Sequence, residues 1–166
     1  CRPVHLNLPL REPLWAAQPA PRPEVSIPLE TRGARRAVVG HLAAEWLEAE
    51  RGVVHLGADA AQTPEFAEAV EAFAAARGWP LIAEATSGAR SDARTGAVDL
   101  VAAAQVLPAP EVVIRVGICP LHRATRGWLG GARHTVLIDA FGDLNHPEAG
   151  EYTLLRADAE ATLRAH

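Results

Sequence analysis

Short strands that are apolar almost throughout, alternating with amphipathic helices, predict an α/β domain of three layers, α/β/α, around a mostly parallel sheet. Gly52-Val53-Val54-His55-Leu56-Gly57 and Glu111-Val112-Val113-Ile114-Arg115-Val116-Gly117 are the two runs that carry this reading. Neither shows the in-and-out alternation of a strand with one wet face, so both faces of each are to be covered. Helix signals stand between such runs: Thr63-Pro64-Glu65 opens one and Gly78 closes it.

The elements follow in order. Val38, Val39, Leu42, Trp46 and Leu47 recur at helical spacing, with Gly52 as a stop, and predict a first helix from about residue 34. The strand at residues 52–57 comes next. In the second helix Thr63 is placed to accept from a free backbone N–H, Pro64 suits the first turn, and Glu65 favours the positive helix end. Phe66, Val70 and Phe73 mark its buried face. Pro80-Leu81-Ile82-Ala83 reads as a strand, residues 86–95 as a polar loop and residues 97–106 as a helix. The strand at residues 111–117 leads through a loop and short helix, ending near Trp128, to a strand at residues 135–139. A last strand lies around Tyr152-Thr153-Leu154-Leu155, and a terminal helix starts at Asp158.

The first 33 residues differ. Val4, Leu6, Leu8 and Leu10 alternate as in a strand, and Pro9 confines the later part to an edge or strand end. Residues 1–14 therefore read as the tail of a preceding domain. Residues 15–33 collect Pro19, Pro21, Pro23 and Pro28 and read as a semi-rigid linker. The α/β domain is expected to occupy residues 34–166.

Composition bounds the function. A chain of 166 residues suffices for one domain with a sizeable core, and 49% apolar content with few aromatics points to small aliphatic packing. Both charge signs are mixed and the net charge is −4, which argues against a nucleic-acid platform. No apolar run is long enough for a membrane span, and Pro3, His5, Asn7 and Pro9 interrupt any signal-peptide core. Cys1 and Cys119, far apart with no secretory signal, fit reduced thiols in a cytoplasm. There is no methionine, even at position 1, so the chain is expected to be a piece of a longer protein.

A parallel sheet presents ligands to the loops beyond the carboxyl ends of its strands. Those loops, at residues 57–63, 84–94, 117–126 and 139–146, contain neither a G-x-G-x-x-G nor a G-x-x-x-x-G-K-[ST] motif. Gly57-Ala58-Asp59 is better explained as a turn. Gly117-Ile118-Cys119-Pro120-Leu121-His122-Arg123 is the most informative loop. It follows the clearest strand, so Arg123 and Arg126 can present guanidinium groups at the carboxyl edge, suited to bidentate capture of carboxylates. Arg90 and Arg94 form a second cationic loop, and together the four arginines can make an anion-attracting rim. The competing reading is that all four merely solvate a surface. Cys119-x-x-His122 is half a zinc site without a second pair, so no metal is expected. No nucleophile elbow or triad spacing is present.

Pro3-Val4-His5-Leu6-Asn7-Leu8-Pro9-Leu10-Arg11-Glu12-Pro13-Leu14 resembles the segment closing the first domain of the MenD family, the 2-succinyl-5-enolpyruvyl-6-hydroxy-3-cyclohexene-1-carboxylate synthases. Further elements agree in order: Arg51-Gly52-Val53-Val54 with Gly57, Gly78-Trp79-Pro80-Leu81-Ile82, Ser87, the strand at residues 113–117, the stretch at residues 123–128, and Ile138-Asp139. The resemblance implies a thiamine-diphosphate enzyme of three α/β domains. Its reaction decarboxylates 2-oxoglutarate and adds the succinyl unit to isochorismate, in menaquinone biosynthesis, with Mg2+. It further implies that this chain is the central domain, with a six-stranded Rossmann-like sheet, while the cofactor glutamate and the metal-diphosphate site belong to the first and third domains. On that basis no catalytic residue and no bound cofactor are expected in this chain, which is inactive alone. The missing domains are its partners, and the parent is expected to be a homo-oligomer. One functional position carries over. Family members often place a basic residue, commonly lysine, in the loop that Leu121-His122-Arg123 matches, and here it is Arg123. Two rival readings are an anionic-metabolite-binding regulatory module and a central domain from another thiamine-diphosphate enzyme, such as an acetohydroxyacid-synthase relative.

Overall fold

The structure, a computed structural model, describes residues 38–60, 63–89, 106–140 and 151–166. All of them fall within the unit Arg36–His166. The strand expected at residues 1–14, the linker at 15–33, and the helix expected at 97–106, except its last residue, lie outside the described residues.

Among the described residues, five strands form one sheet: β1 (Gly52–Leu56), β2 (Leu81–Ala83), β3 (Val112–Val116), β4 (His134–Ile138) and β5 (Thr153–Leu155). Their order is β2-β1-β3-β4-β5, and every pairing is parallel. Four described helices accompany them: α1 (Ala44–Leu47), α2 (Pro64–Ala76), α3 (Arg123–Leu129) and α4 (Ala159–Ala165). This is the α/β architecture that the continuous apolar runs predict, and β1 and β3 are buried at every residue.

The placing of the helices follows from handedness. The chain steps from β1 through α2 to β2 in one direction and from β3 through α3 to β4 in the other. Right-handed crossovers then put α2 and α3 on opposite faces. Val54, Leu56, Ile114, Val116, Val136 and Ile138 project towards α2 and α4, where Phe66, Val70, Phe73, Trp79 and Leu163 complete the larger core. The alternate residues Val53, Ile82 and Val113 meet Leu129 of α3, with Trp128 and Ala132 packed alongside.

Local chemistry sets the ends of α2 as read. The Thr63 hydroxyl accepts from Phe66 N–H at 3.2 Å, Pro64 occupies the first turn, and Gly78 stands just past the end with φ +64°. Asp158 caps α4 in the same way, accepting from Ala161 N–H at 2.8 Å.

The helix expected from residue 34 is a correction. Residues 38–43 are not helical, and the helix is the single turn α1. Val38 and Val39, read as apolar contacts of a helix face, are 59% and 53% exposed. Two β-branched residues followed by Gly40 make a poor helix start. The backbone of this segment finds better partners elsewhere: Gly40 N–H donates to Thr162 Oγ1 at 2.9 Å, and Val38 carbonyl accepts from Asp158 N–H at 2.8 Å. Leu42 is inserted into the larger core at 1% exposure.

Candidate functional site

The strand order reverses between β1 and β3, and open parallel sheets bind ligands at such a point, beyond the strand ends. Gly57 follows β1 and Gly117 follows β3. Here the loops leaving those strands close on each other. Gly57 N–H donates to Val116 carbonyl at 2.9 Å, and Ile118 N–H donates to Ala58 carbonyl at 3.1 Å. A Cβ on Gly57 would fall 1.7 Å from Ile118 carbonyl oxygen. Gly117 has φ +82°, and a Cβ there would meet Ala58 carbonyl oxygen at 2.5 Å. The two glycines permit a close backbone approach that fills the crevice with protein. Where a dinucleotide fold uses glycines to admit a pyrophosphate, these admit the neighbouring loop. Gly57-Ala58-Asp59 is the expected turn: Ala60 N–H returns to Gly57 carbonyl at 3.3 Å, and Asp59 takes the left-handed conformation at φ 61°.

Beside the closed crevice lies a polar cluster. His55 stands on β1, 0% exposed, directly opposite Arg115 of β3, which is 4% exposed. Strand alternation puts both on the α3 face, two residues beyond Val53 and Val113. His55 Nε2 lies 3.4 Å from Glu84 Oε1, just past the end of β2. The same Glu84 oxygen accepts from Leu121 N–H at 3.3 Å. Glu84 therefore ties β1, its own loop and the loop after β3. The hydrogen bond from His55 is the main reason its carboxyl group is held below the ordinary glutamate range. Burial opposes this, and the Leu121 N–H with the nearby His55 and His122 charges adds to it.

The arginines are placed as follows. Arg123 is exposed at the first residue of α3, at the carboxyl edge of the sheet. Arg126, one turn on and half-buried, directs Nη2 towards Leu121 carbonyl at 3.5 Å. Its side chain also lines a cavity of about 20 Å³ with Val113, Arg115, Pro120, Leu129 and Thr135, room for about one water molecule. Arg90 and Arg94 lie outside the described residues. Cys119 is a half-buried free thiol, and His122 is exposed.

The described residues do not fit a diphosphate-and-metal cofactor. The crevice glycines are occupied by backbone, and no group of three or more His, Cys, Asp or Glu residues among the described residues could hold a metal ion. No helix among them is long and apolar enough to cross a membrane.

The Glu84–His55 pair is a feature that sequence reading did not single out. A signal existed: His55 and Arg115 are the polar residues inside two otherwise apolar central strands. Their register, and the approach of Glu84, depend on the sheet.

No protein-family model matches the chain. Individual relatives do. A protein of Synechococcus sp. (strain JA-3-3Ab) is 32% identical over 82% of this chain. One from Rubrobacter xylanophilus is 36% identical over 79%, and one from Halobacterium salinarum is 31% identical over 98%. Each is named 2-succinyl-5-enolpyruvyl-6-hydroxy-3-cyclohexene-1-carboxylate synthase. The matches cover 28%, 25% and 32% of those proteins, so the chain spans about a quarter to a third of their length.

Proposed function

We propose, since the chain belongs to the family of 2-succinyl-5-enolpyruvyl-6-hydroxy-3-cyclohexene-1-carboxylate synthases, that it is the central domain of such an enzyme. The observation that carries this is the agreement of relatives under one name over most of this chain but under a third of their own length. The parent, in this reading, is a cytoplasmic transferase of menaquinone biosynthesis and a homo-oligomer. It decarboxylates 2-oxoglutarate and joins the succinyl unit to isochorismate with thiamine diphosphate and Mg2+. Cofactor and metal are held by the domains on either side, and residues 1–14 are the tail of the first of them. The crevice closed by Gly57 and Gly117 supports a scaffolding role for the sheet itself.

One residue of this chain faces substrate in the proposal. Arg123 is exposed at the carboxyl edge, and no acidic residue stands in the first turn of α3 to neutralise it. Both proposed substrates carry carboxylates, which a guanidinium binds by charge-assisted hydrogen bonds. Loss of one such contact costs about 1.5–3 kcal/mol, or about ten- to hundredfold in kcat/KM. In the full-length enzyme, Arg123→Ala is expected to lower kcat/KM to that extent while leaving the protein folded. Arg133→Ala, at the amino edge just before β4, is expected to change little. Near-normal kinetics for both variants would return Arg123 to the role of a surface residue.

A further inference from the structure

We propose that Glu84 is a positioning residue for Arg123, fixing the loop from which that arginine projects. The inference rests on the reading of Arg123 as a substrate-facing cation and adds what determines where it stands.

The loop at residues 117–122 is held at its start by the interlock with residues 57 and 58. Further along, Pro120 is buried against the α3 face, but the last two residues of the loop, Leu121 and His122, are exposed. Leu121 is 63% exposed, so burial of its side chain does not anchor the backbone there. The Leu121 peptide is held through its polar atoms instead. Its N–H donates to Glu84 Oε1 at 3.3 Å, and its carbonyl faces Arg126 Nη2 at 3.5 Å. Arg123 begins α3 two residues later, so the Leu121 peptide sets the root of its side chain.

Glu84 is a fixed point. Its side chain is 14% exposed, and its other contact is to His55, wholly buried on a central strand. Among the described residues, His55 of β1 and the Leu121 N–H and His122 of the loop are what face its carboxylate, and all of them favour the charged form. Catalytic and binding side chains work when the groups behind them are locked by packing and hydrogen bonds. Glu84 transmits the rigidity of β1 to the loop after β3 without touching substrate.

The test is a double-mutant cycle in the full-length enzyme, with KM and kcat measured for 2-oxoglutarate and for isochorismate. Glu84→Ala is expected to raise KM for the substrate that Arg123 serves by about five- to tenfold with kcat within about twofold, and to add nothing to Arg123→Ala. Glu84→Gln keeps an oxygen acceptor for Leu121 N–H and is expected to stay within about twofold of wild type. If Arg123→Ala is impaired and Glu84→Ala is not, the positioning role is wrong and the reading of Arg123 survives. Equal losses from Glu84→Ala with and without Arg123 would show that Glu84 acts by another route, and would overturn the proposal. A wild-type-like Arg123→Ala removes both readings together. Should Glu84→Ala fail to fold, Glu84→Asp carries the same cycle. It keeps the charge, shortens the reach by one methylene, and is expected to show the same non-additive loss; an additive loss overturns the proposal.

Discussion

Glu84 joins three parts of the chain that are remote in sequence, and its charge is part of how it does so. Its folded-state pKa is depressed, chiefly by the hydrogen bond with His55. A depressed carboxyl group stabilises the fold above its unfolded value, about 4.3, and that stabilisation is lost as pH falls through the lower folded value. At neutral pH the contribution is therefore complete. Urea unfolding of this chain between about pH 6 and about pH 3 is expected to show a smaller acid loss for Glu84→Gln than for wild type, because the amide does not titrate. Parallel pH curves for the two would mean that the charge on Glu84 contributes nothing to folding. Arg123 differs in kind. It is exposed at a helix start, and in its proposed role what matters is what it can reach rather than what it holds.

The connections at the carboxyl edge divide the labour between local and non-local signals. Thr63 and Pro64 set the start of α2 through contacts within one turn, so the cap was legible from four consecutive residues. Gly57 and Gly117 look like ordinary strand-end glycines in the sequence, but the structure makes them the point where two loops interlock. Different costs follow. Thr63→Ala removes one capping hydrogen bond and is expected to lower stability by about 1 kcal/mol. Gly57→Ala forces a methyl group onto the Ile118 carbonyl, so the loops must part; it is expected to cost at least about 2 kcal/mol. Chemical unfolding of the two variants checks this, and equal midpoints would show that the interlock yields freely.

At the scale of the domain, the five described strands form a parallel sheet whose crevice between β1 and β3 is closed by its own loops, as the proposed scaffolding role requires. A chain that spans about a quarter to a third of its relatives, and whose described residues hold no diphosphate cradle, is expected to fold alone without binding the cofactor. Calorimetric titration of the isolated chain with thiamine diphosphate and Mg2+ is expected to give no heat of binding. A micromolar association would overturn the division of labour proposed between this domain and its neighbours.

The sequence by itself determined what short-range chemistry can encode. An apolar run between Gly52 and Gly57 specified β1 and one ending at Gly117 specified β3, the Thr63 and Asp158 caps specified where α2 and α4 begin, and the absence of alternation specified a sheet covered on both faces. Spacing alone misread residues 38–43, because apolar periodicity says which side chains seek burial and not which backbone groups find partners. Val38 and Gly40 are paired with Asp158 and Thr162, more than a hundred residues away. The tertiary structure alone decided the polar cluster as well. His55, Glu84 and Leu121 are separated by 29 and 37 residues, and only the parallel register of β2, β1 and β3 brings a buried imidazole, a carboxylate and a loop N–H within hydrogen-bonding distance. Long-range pairing is set by which strands become neighbours, and that is settled by packing the whole sheet, not by any one segment of it.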